Sequence, residues 1–477
     1  MRRWAPLLSV LALLLAGCPL GPDFEAPEVY TPETFRGAIP PEEAASLADL
    51  PWWEVFEDPA LERLIGRAIE GNYDLRAAAA RVRQSTAFVG VTRSELLPQV
   101  GYQGSGSRQS SQIFPQKPPE TFNLFSGAFN MAWEIDLWGR IRRATEAAQA
   151  DLFAIEEAQR GILLSLVSAV AESYFALLEL DREIAISNDT LRSFEKSVDL
   201  FRRRFEGGVD SDLAVARAEA SLANVAAEIP ALQTRIVERE NEINLLLGNA
   251  PGPVTRGLLL TEQRTVPQTP PGLPSELLVR RPDIKQAEDR IRAANAEIGV
   301  AVANFFPRIG LSSLYGSAST DLGNMLGGTH SVWNIAAALS GPIFTGGRNY
   351  EQYKAQVAAW EAETALYQQV VLQSFAEVSN ILTNQQNLVR ERAERERAVA
   401  SLQRSVKLSF LRYELGLADY FEVLQAQQEL YPAQLDLART QRNQLIAVAQ
   451  LYRALGGGWD LPVDEWPRPS PSPTPRT

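Results

Sequence analysis

Apolar residues recur at every seventh position through Leu163, Val170, Leu177, Ile184, Leu191, Val198 and Phe205, and Val167, Tyr174, Phe194 and Phe201 fill positions between them. A sustained seven-residue apolar repeat predicts a helix that packs as a coiled coil with left-handed supercoiling. The helix that carries it reads from about Arg140 to Glu206, about 100 Å at 1.5 Å per residue. Ordinary globular helices run to about 11 residues, so a rod of this length scaffolds something or crosses a wide gap. A second rod reads over 348–415, with Val371, Phe375, Val378, Leu382, Val389, Val399, Leu402, Val406 and Tyr413 in the stripe and Gln385 and Arg392 interrupting it. The rods end in matching turns, Phe205-Glu206-Gly207-Gly208-Val209-Asp210 and Tyr413-Glu414-Leu415-Gly416-Leu417-Ala418. Glycine favours the left-handed conformation that stops a helix. New helices follow at once, over about 212–247 and 419–455, so each rod and its successor form a tight antiparallel hairpin, and the two tips end together.

Elsewhere the period changes to two. Over 122–138, Phe125, Gly127, Phe129, Met131, Trp133, Ile135 and Leu137 share one face, while Ser126, Ala128, Asn130, Ala132, Glu134 and Asp136 share the other. Over 331–344, Trp333, Ile335, Ala337 and Leu339 oppose Asn334, Ala336, Ala338 and Ser340. Alternation of this length bounded by aromatics fits a transmembrane β-strand, apolar outward and small or polar inward; a half-buried soluble hairpin is the competing reading. Two weaker strands, diluted by Gly, Ser and Gln, precede these at 98–107 and 307–319, and the intervening loops near 109–120 and 321–329 suit an exposed surface. Four strands cannot close a barrel, since about eight are needed before side chains even fill one, and open strand edges cannot sit in lipid. The strands therefore require an oligomer: two chains give eight strands and little interior room, three give twelve.

The chain repeats itself once, which must be recognised early because it sets the fold. Tyr73-Asp74-Leu75 matches Pro282-Asp283-Ile284, Arg81-Val82-Arg83 matches Arg290-Ile291-Arg292, Gly90-Val91 matches Gly299-Val300, and Leu97 to Gly101 matches Phe306 to Gly310, all at an offset of 209. Later the offset is 208, where Arg204-Phe205-Glu206 matches Arg412-Tyr413-Glu414 and Leu247-Gly248 matches Leu455-Gly456. Each half is thus a helix (61–96, or 283–304), two strands, a long helix and its return. The division is a leader 1–17, an N-terminal extended segment 18–60, a first repeat 61–250, a Pro/Gly linker 251–274, a second repeat 275–458 and a disordered tail 459–477.

The leader changes the compartment. Met1-Arg2-Arg3, an uncharged run from Leu7 to Ala16 and the small residues before Cys18 form a secretory signal, too short to span a bilayer. Leu15-Ala16-Gly17-Cys18 has the shape of a bacterial lipobox, which makes Cys18 the lipidation site; it is the only cysteine, so no intrachain disulfide exists. Pro19 rather than Asp follows it, so nothing there signals inner-membrane retention. The 477 residues are 45% hydrophobic and 22% charged. Without Arg2 and Arg3 the mature chain has 44 basic against 58 acidic residues, a net charge of −14, a poor match to nucleic acid. A single histidine, His330, and a single cysteine exclude the usual zinc clusters. No Walker loop, dinucleotide-binding glycine motif or Ser/His/Asp set stands out, so an enzyme is not expected and no metal or cofactor is assigned beyond the lipid on Cys18.

Several motifs together carry a resemblance. They are Leu-Gly-Pro-Asp-Phe-Glu-Ala-Pro at 20–27, Trp52-Trp53 before Phe56-Glu57-Asp58-Pro59, and Trp133-Glu134-Ile135-Asp136-Leu137-Trp138-Gly139-Arg140. To these are added Arg280-Arg281-Pro282-Asp283-Ile284, Ala303-Asn304-Phe305-Phe306-Pro307 and the closing Leu451 to Trp459. Over almost the whole mature chain the sequence resembles the lipid-anchored branch of the TolC-like outer-membrane efflux proteins. The resemblance implies an α+β membrane protein forming a homotrimer, with a 12-stranded β-barrel, a 12-helix periplasmic tunnel and a mixed belt from the linker and termini. It implies an exit duct for drugs or other small molecules, working with a periplasmic adaptor and an inner-membrane pump of the resistance-nodulation-division class. Carried over by position, the tips Gly207, Gly208, Val209, Gly416 and Leu417 meet the adaptor, and the tunnel closes near Asp419, Tyr420 and Glu422. Ala418 stands where many relatives have an acidic residue; Asp419 follows one position later, and a helix-capping aspartate is the alternative to a gate carboxylate. Other functions considered are a duct of the same build for type I protein secretion or metal-ion efflux, and a soluble periplasmic adaptor or coiled-coil scaffold. Three methionines and one histidine weigh against metal.

Overall fold

The computed structural model describes residues 19–36, 55–111, 120–264, 274–326 and 330–457. Cys18, the leader, the Trp52-Trp53 pair and the tail 459–477 lie outside the described residues. In chain order the elements are α1 (Pro59–Gly71), α2 (Tyr73–Ser94), β1 (Gln99–Ser111), β2 (Glu120–Ile135), α3 (Arg140–Glu206), α4 (Asp212–Leu246), α5 (Pro274–Arg280) and α6 (Pro282–Ala303). They continue with β3 (Arg308–Ser319), α7 (Leu322–Leu326), β4 (Ser331–Ser340), α8 (Arg348–Glu414) and α9 (Phe421–Ala454). The duplication is explicit: α2-β1-β2-α3-α4 recurs as α6-β3-β4-α8-α9, and α3 and α8 each have 67 residues. The backbone carries the same signature. Left-handed glycines occur in three pairs 208 residues apart, Gly139 with Gly347, Gly208 with Gly416 and Gly248 with Gly456.

The structure departs from the sequence expectation at the first helix. Residues 61–96 are two helices, α1 and α2, broken at Asn72, which is extended at φ −64 and ψ 129. Asn72 accepts from Leu75 N–H at 2.9 Å and donates to the Leu246 carbonyl at 2.9 Å, capping α2 while tying the break to the end of α4. Asp58, fully buried, caps α1 through Ala60 N–H and also accepts from the Tyr174 hydroxyl at 2.8 Å and from Gln263 at 2.7 Å. Two short helices were not expected: α5 starts at the last linker residue, Pro274, and runs to Arg280 ahead of α6, and α7 falls where a loop was expected.

The chain folds into two compact units. One comprises Met1–Glu28, Ala80–Glu157 and Gln286–Gln369; the other comprises Val29–Ala79, Ala158–Lys285 and Val370–Thr477. The first contains the sheet, all antiparallel in the order β1-β2-β3-β4. The central pair β2–β3 joins the two repeats, with Phe129 opposite Tyr315 and Ile135 opposite Ile309. The second contains the long-helix packing. There α3 is buried on more than one face: Leu164, Leu166, Ala171, Phe175, Leu178 and Ile186 are buried beside the heptad residues Val170, Leu177 and Val198. The most apolar window of α3 would be long enough to cross a bilayer, but 72% of it is buried inside the protein, which accounts for its composition. The return helices α4 and α9 each contain one proline, Pro230 and Pro432; a helical proline removes one ladder hydrogen bond and bends the rod.

Candidate channel wall, gate and docking tips

The sheet has two chemically distinct faces. Alternation along each strand combined with the register puts Tyr102, Phe129, Tyr315 and Trp333 in one row, paired directly across all four strands. Their exposures are 86%, 65%, 67% and 71%. Three more rows follow on the same face: Val100, Met131, Ser313 and Ile335; then Trp133, Leu311 and Ala337; then Ile135, Ile309 and Leu339. Beyond them Trp138 stacks on Phe306 with centroids 4.8 Å apart, its indole N–H donating to the Pro307 carbonyl at 2.7 Å. An apolar band bracketed by aromatics is the pattern of a lipid-facing barrel wall. The opposite face carries Gln99, Gly101, Gln103, Ser126, Asn130, Ser312 and Asn334, with Ser105 and Ser126 hydroxyls 2.8 Å apart. Phe122, Leu124, Leu314 and Val332 are the large apolar exceptions on that side. The free edges of β1 and β4 have no partner strand among the described residues.

The residues just after β2 lock the wall onto α3. Asp136 accepts from the N–H groups of Ile141 and Arg142, both at 3.0 Å, supplying the anionic cap a helix N-terminus favours. Arg140 pairs with Glu134 at 3.0 Å and Glu95 at 3.4 Å. Gly139 makes the turn at φ +75. In the other unit Arg281 is buried and donates to Asp283 at 2.7 Å, to Glu377 at 2.8 Å and to the Ala454 carbonyl at 2.8 Å, joining the start of α6 to α8 and the end of α9. These motifs are structural joints.

The tips are built alike. Gly208 N–H reaches the Phe205 carbonyl and Val209 N–H the Arg204 carbonyl, both at 2.9 Å; Gly416 and Leu417 make the same bonds to Tyr413 and Arg412. Each is a Schellman stop with glycine at the left-handed position, φ +67 and +72. Gly207 donates to the Arg203 carbonyl at 3.1 Å in the last turn. Val209 and Leu417 are 66% and 68% exposed, and Phe205, Leu213, Leu415 and Phe421 are exposed around them.

The gate candidates separate. Asp419 is exposed and accepts from Phe421 N–H at 3.2 Å, a helix-start contact. Glu422 is exposed and pairs with Arg412 at 3.3 Å, as Asp210 pairs with Arg204 at 2.8 Å in the first hairpin. Tyr420 instead is 3% exposed and turns into its own chain. Its hydroxyl lies 2.6 Å from Ser197 Oγ, and its ring meets Phe201 and Tyr413 edge-on, each at 4.7 Å. Burial pushes its phenol above the ordinary 10. It joins Phe194, Val198, Phe201, Val215, Ala218, Val225, Val423 and Leu424 in one cluster uniting α3, α4 and α9.

Sequence reasoning missed the continuation of this contact. Along α3 and α9, running antiparallel, Glu179 meets Arg442 at 2.6 Å, Glu183 meets Arg439 at 3.0 Å, Ser187 meets Tyr431 at 2.9 Å and Ser193 meets Gln427 at 2.9 Å before Ser197 meets Tyr420. The side chains of Glu179 and Glu183 are almost completely buried. Burial pushes the Glu179 carboxyl up, against the opposing pull of Arg442. The signal was present: Glu179, Glu183 and Ser187 recur every fourth residue beside the apolar stripe.

An apolar-walled sheet with open edges, spliced into duplicated long-helix hairpins, defines a subunit of a membrane duct. The outer membrane efflux protein family model matches residues 64–249 and 273–457. The antibiotic efflux pump outer membrane protein ArpC of Pseudomonas putida is 33% identical over 460 residues, covering 95% of this chain and 95% of that protein. The cation efflux system protein CusC of Escherichia coli O6:H1 is 31% identical over 453 residues, 94% of this chain and 97% of that protein. The open state of the Neisseria gonorrhoeae MtrE outer membrane channel superposes with a TM-score of 0.84 at 29% identity, over 93% of this chain and 99% of that one. The chain belongs to the outer membrane efflux protein family, and it is an outer-membrane efflux channel.

Proposed function

We propose that three copies of this chain form one duct, anchored through lipid on Cys18, that receives drugs or other small molecules from a periplasmic adaptor and an inner-membrane pump and releases them outside. The observation that carries this reading is the exposed aromatic and aliphatic face on a sheet whose β1 and β4 edges are unpaired among the described residues. Lipid cannot satisfy those edges, so the β4 of one copy must meet the β1 of the next. Three copies close twelve strands, leaving an interior wider than side chains alone can fill. The pump supplies the energy; the duct supplies a path and a gate, with no catalytic residue and no cofactor beyond the lipid. Exposed apolar side chains around the left-handed glycines at both tips support adaptor docking at Gly207, Gly208, Val209, Gly416 and Leu417. The burial of Tyr420 supports a latch that holds α9 against α3, with Asp419 and Glu422 beside it at the hairpin start.

Cation export is the second reading, supported by the similarity to CusC at nearly the identity found for ArpC. The scarcity of methionine and histidine, three and one, favours organic cargo, because soft thioether and imidazole ligands suit copper-like ions. Accumulation of a lipophilic dye, an antibiotic panel and metal ions in a deletion strain and its complemented parent separates them. Raised dye and antibiotic retention is expected; a metal phenotype or a missing secreted protein with unchanged dye would overturn the drug assignment.

A further inference from the structure

The residues that follow Cys18 in the chain occupy a seat built by α3 and α6. Leu20 N–H donates to the Trp138 carbonyl at 3.0 Å. Arg143, whose side chain is 5% exposed, donates to the Leu20 carbonyl at 3.1 Å, the Gly21 carbonyl at 3.5 Å, the Asp23 carboxylate at 3.3 Å and Glu146 at 2.9 Å. Buried Asn295 donates to the Pro22 carbonyl at 3.1 Å, and Arg292 lies 4.8 Å over the Phe24 ring. The backbones touch. A Cβ on Gly139 would sit 2.5 Å from Pro19 Cα, one on Gly21 2.5 Å from Gly299 Cα, and one on Gly299 2.8 Å from the Leu20 carbonyl oxygen. Three of the four acceptors of this guanidinium belong to the segment, so its removal would leave Arg143 with Glu146 alone.

The internal repeat supplies a comparison. Gly347 and Gly90 occupy the positions equivalent to Gly139 and Gly299, and a Cβ on either meets nothing within 4 Å. Glu351 and Thr86 stand where Arg143 and Asn295 would be. The repeat therefore folds without these contacts, and the seat is specific to the segment it holds.

We propose that α3 and α6 form an intramolecular binding site for residues 19–24, that this site holds the lipid-bearing end of the chain at the Trp138–Phe306 rim of the sheet, and that the inserted sheet depends on it. The proposal rests on the reading of Cys18 as acylated and the sheet as membrane wall. Cys18 precedes Leu20 by two residues, a span of at most about 7 Å, so the acyl chains enter the bilayer beside that rim. The seat thereby sets the depth of the wall relative to the lipid.

The test compares Gly299→Ala with Gly90→Ala in the full lipoprotein in outer-membrane preparations. Alanine is the better helix former, so a role confined to the helix leaves both variants as stable as the parent or more so. The expected result is that Gly299→Ala still incorporates labelled fatty acid at Cys18. It is nevertheless cleaved by added protease between Pro19 and Glu28 at least tenfold faster than the parent, and it loses most of its SDS-resistant oligomer. Gly90→Ala should match the parent, and Asn295→Ala should fall between. A parent-like cleavage rate for Gly299→Ala, faster cleavage with undiminished oligomer, or an equal loss in Gly90→Ala would each overturn the proposal. If Gly299→Ala is not recovered, Asn295→Ala and Arg143→Lys carry the same comparison. Failure of the parent to take up fatty acid would sink the lipoprotein reading instead, and the cleavage comparison would still report on the seat.

Discussion

Replacing Tyr420 with alanine should make the duct leak. The ring is 3% exposed and edge-packed on both Phe201 and Tyr413 at 4.7 Å, and truncating a buried aromatic costs about 3–5 kcal/mol. If α9 leaves α3 when the gate opens, that cost falls on the closed state alone, and the open population rises by more than two powers of ten, since each ~1.4 kcal/mol is tenfold. Tyr420→Phe is the graded companion. It removes the hydrogen bond to Ser197, whose hydroxyl still has the Ser193 carbonyl at 3.1 Å, so no orphaned donor remains. The cost is then about 0.5–1.5 kcal/mol, or roughly two- to tenfold in opening. Single-channel conductance in planar bilayers, with uptake of large antibiotics by cells lacking the pump, should rank parent, Tyr420→Phe and Tyr420→Ala in rising order. Leu232→Ala, a buried change outside this cluster, should destabilise without leaking. A Tyr420→Ala oligomer that is intact and conducts like the parent would refute the latch.

Gly208→Trp and Gly416→Trp put a side chain on left-handed backbone, at roughly 1–2 kcal/mol each, and should abolish export while oligomers persist; normal drug resistance in either would remove the docking assignment. Phe129→Arg, on the apolar face of the sheet, should cost about 2–4 kcal/mol if it lies near the bilayer midplane and reduce inserted protein, whereas Asn130→Arg on the opposite face should insert normally. Burial holds the Glu179 carboxyl above its ordinary 4.5, so the folded protein takes up that proton first. The folded state then gains stability as pH falls from the raised value toward 4.5 and loses it as pH rises. Glu179→Gln should flatten the dependence of melting temperature on pH across that window, and an unchanged slope would assign it to other groups. Cys18→Ala behind a cleavable signal should still need detergent for extraction, because the sheet face remains; extraction without detergent would return the chain to the soluble class.

The sequence alone determined the elements whose period is long and uninterrupted. The heptads from Leu163 to Phe205 specified α3 to its last residue, because a 3.5-residue stripe sustained over this length has no strand alternative. The alternation from Phe125 to Ile135 specified a two-faced strand, because a one-residue slip would reverse every side chain. The offset of 208–209 specified the duplication, and Gly208 and Gly416 specified the stops, since only glycine takes φ near +70 without penalty. What the tertiary structure decided lay in contacts between distant segments that local pattern does not encode. A buried tyrosine and an exposed one read alike in a sequence, and the burial of Tyr420 depends on Ser197, 223 residues away, beside its hydroxyl. Glu183 reads as a solvated charge, yet Arg439 from α9 and Arg235 from α4 enclose it. Asn72 reads as one more helical residue, yet the Leu246 carbonyl and the Leu75 amide claim its side chain and break the helix. In each case a partner remote in sequence supplies the hydrogen bond or charge that makes burial tolerable.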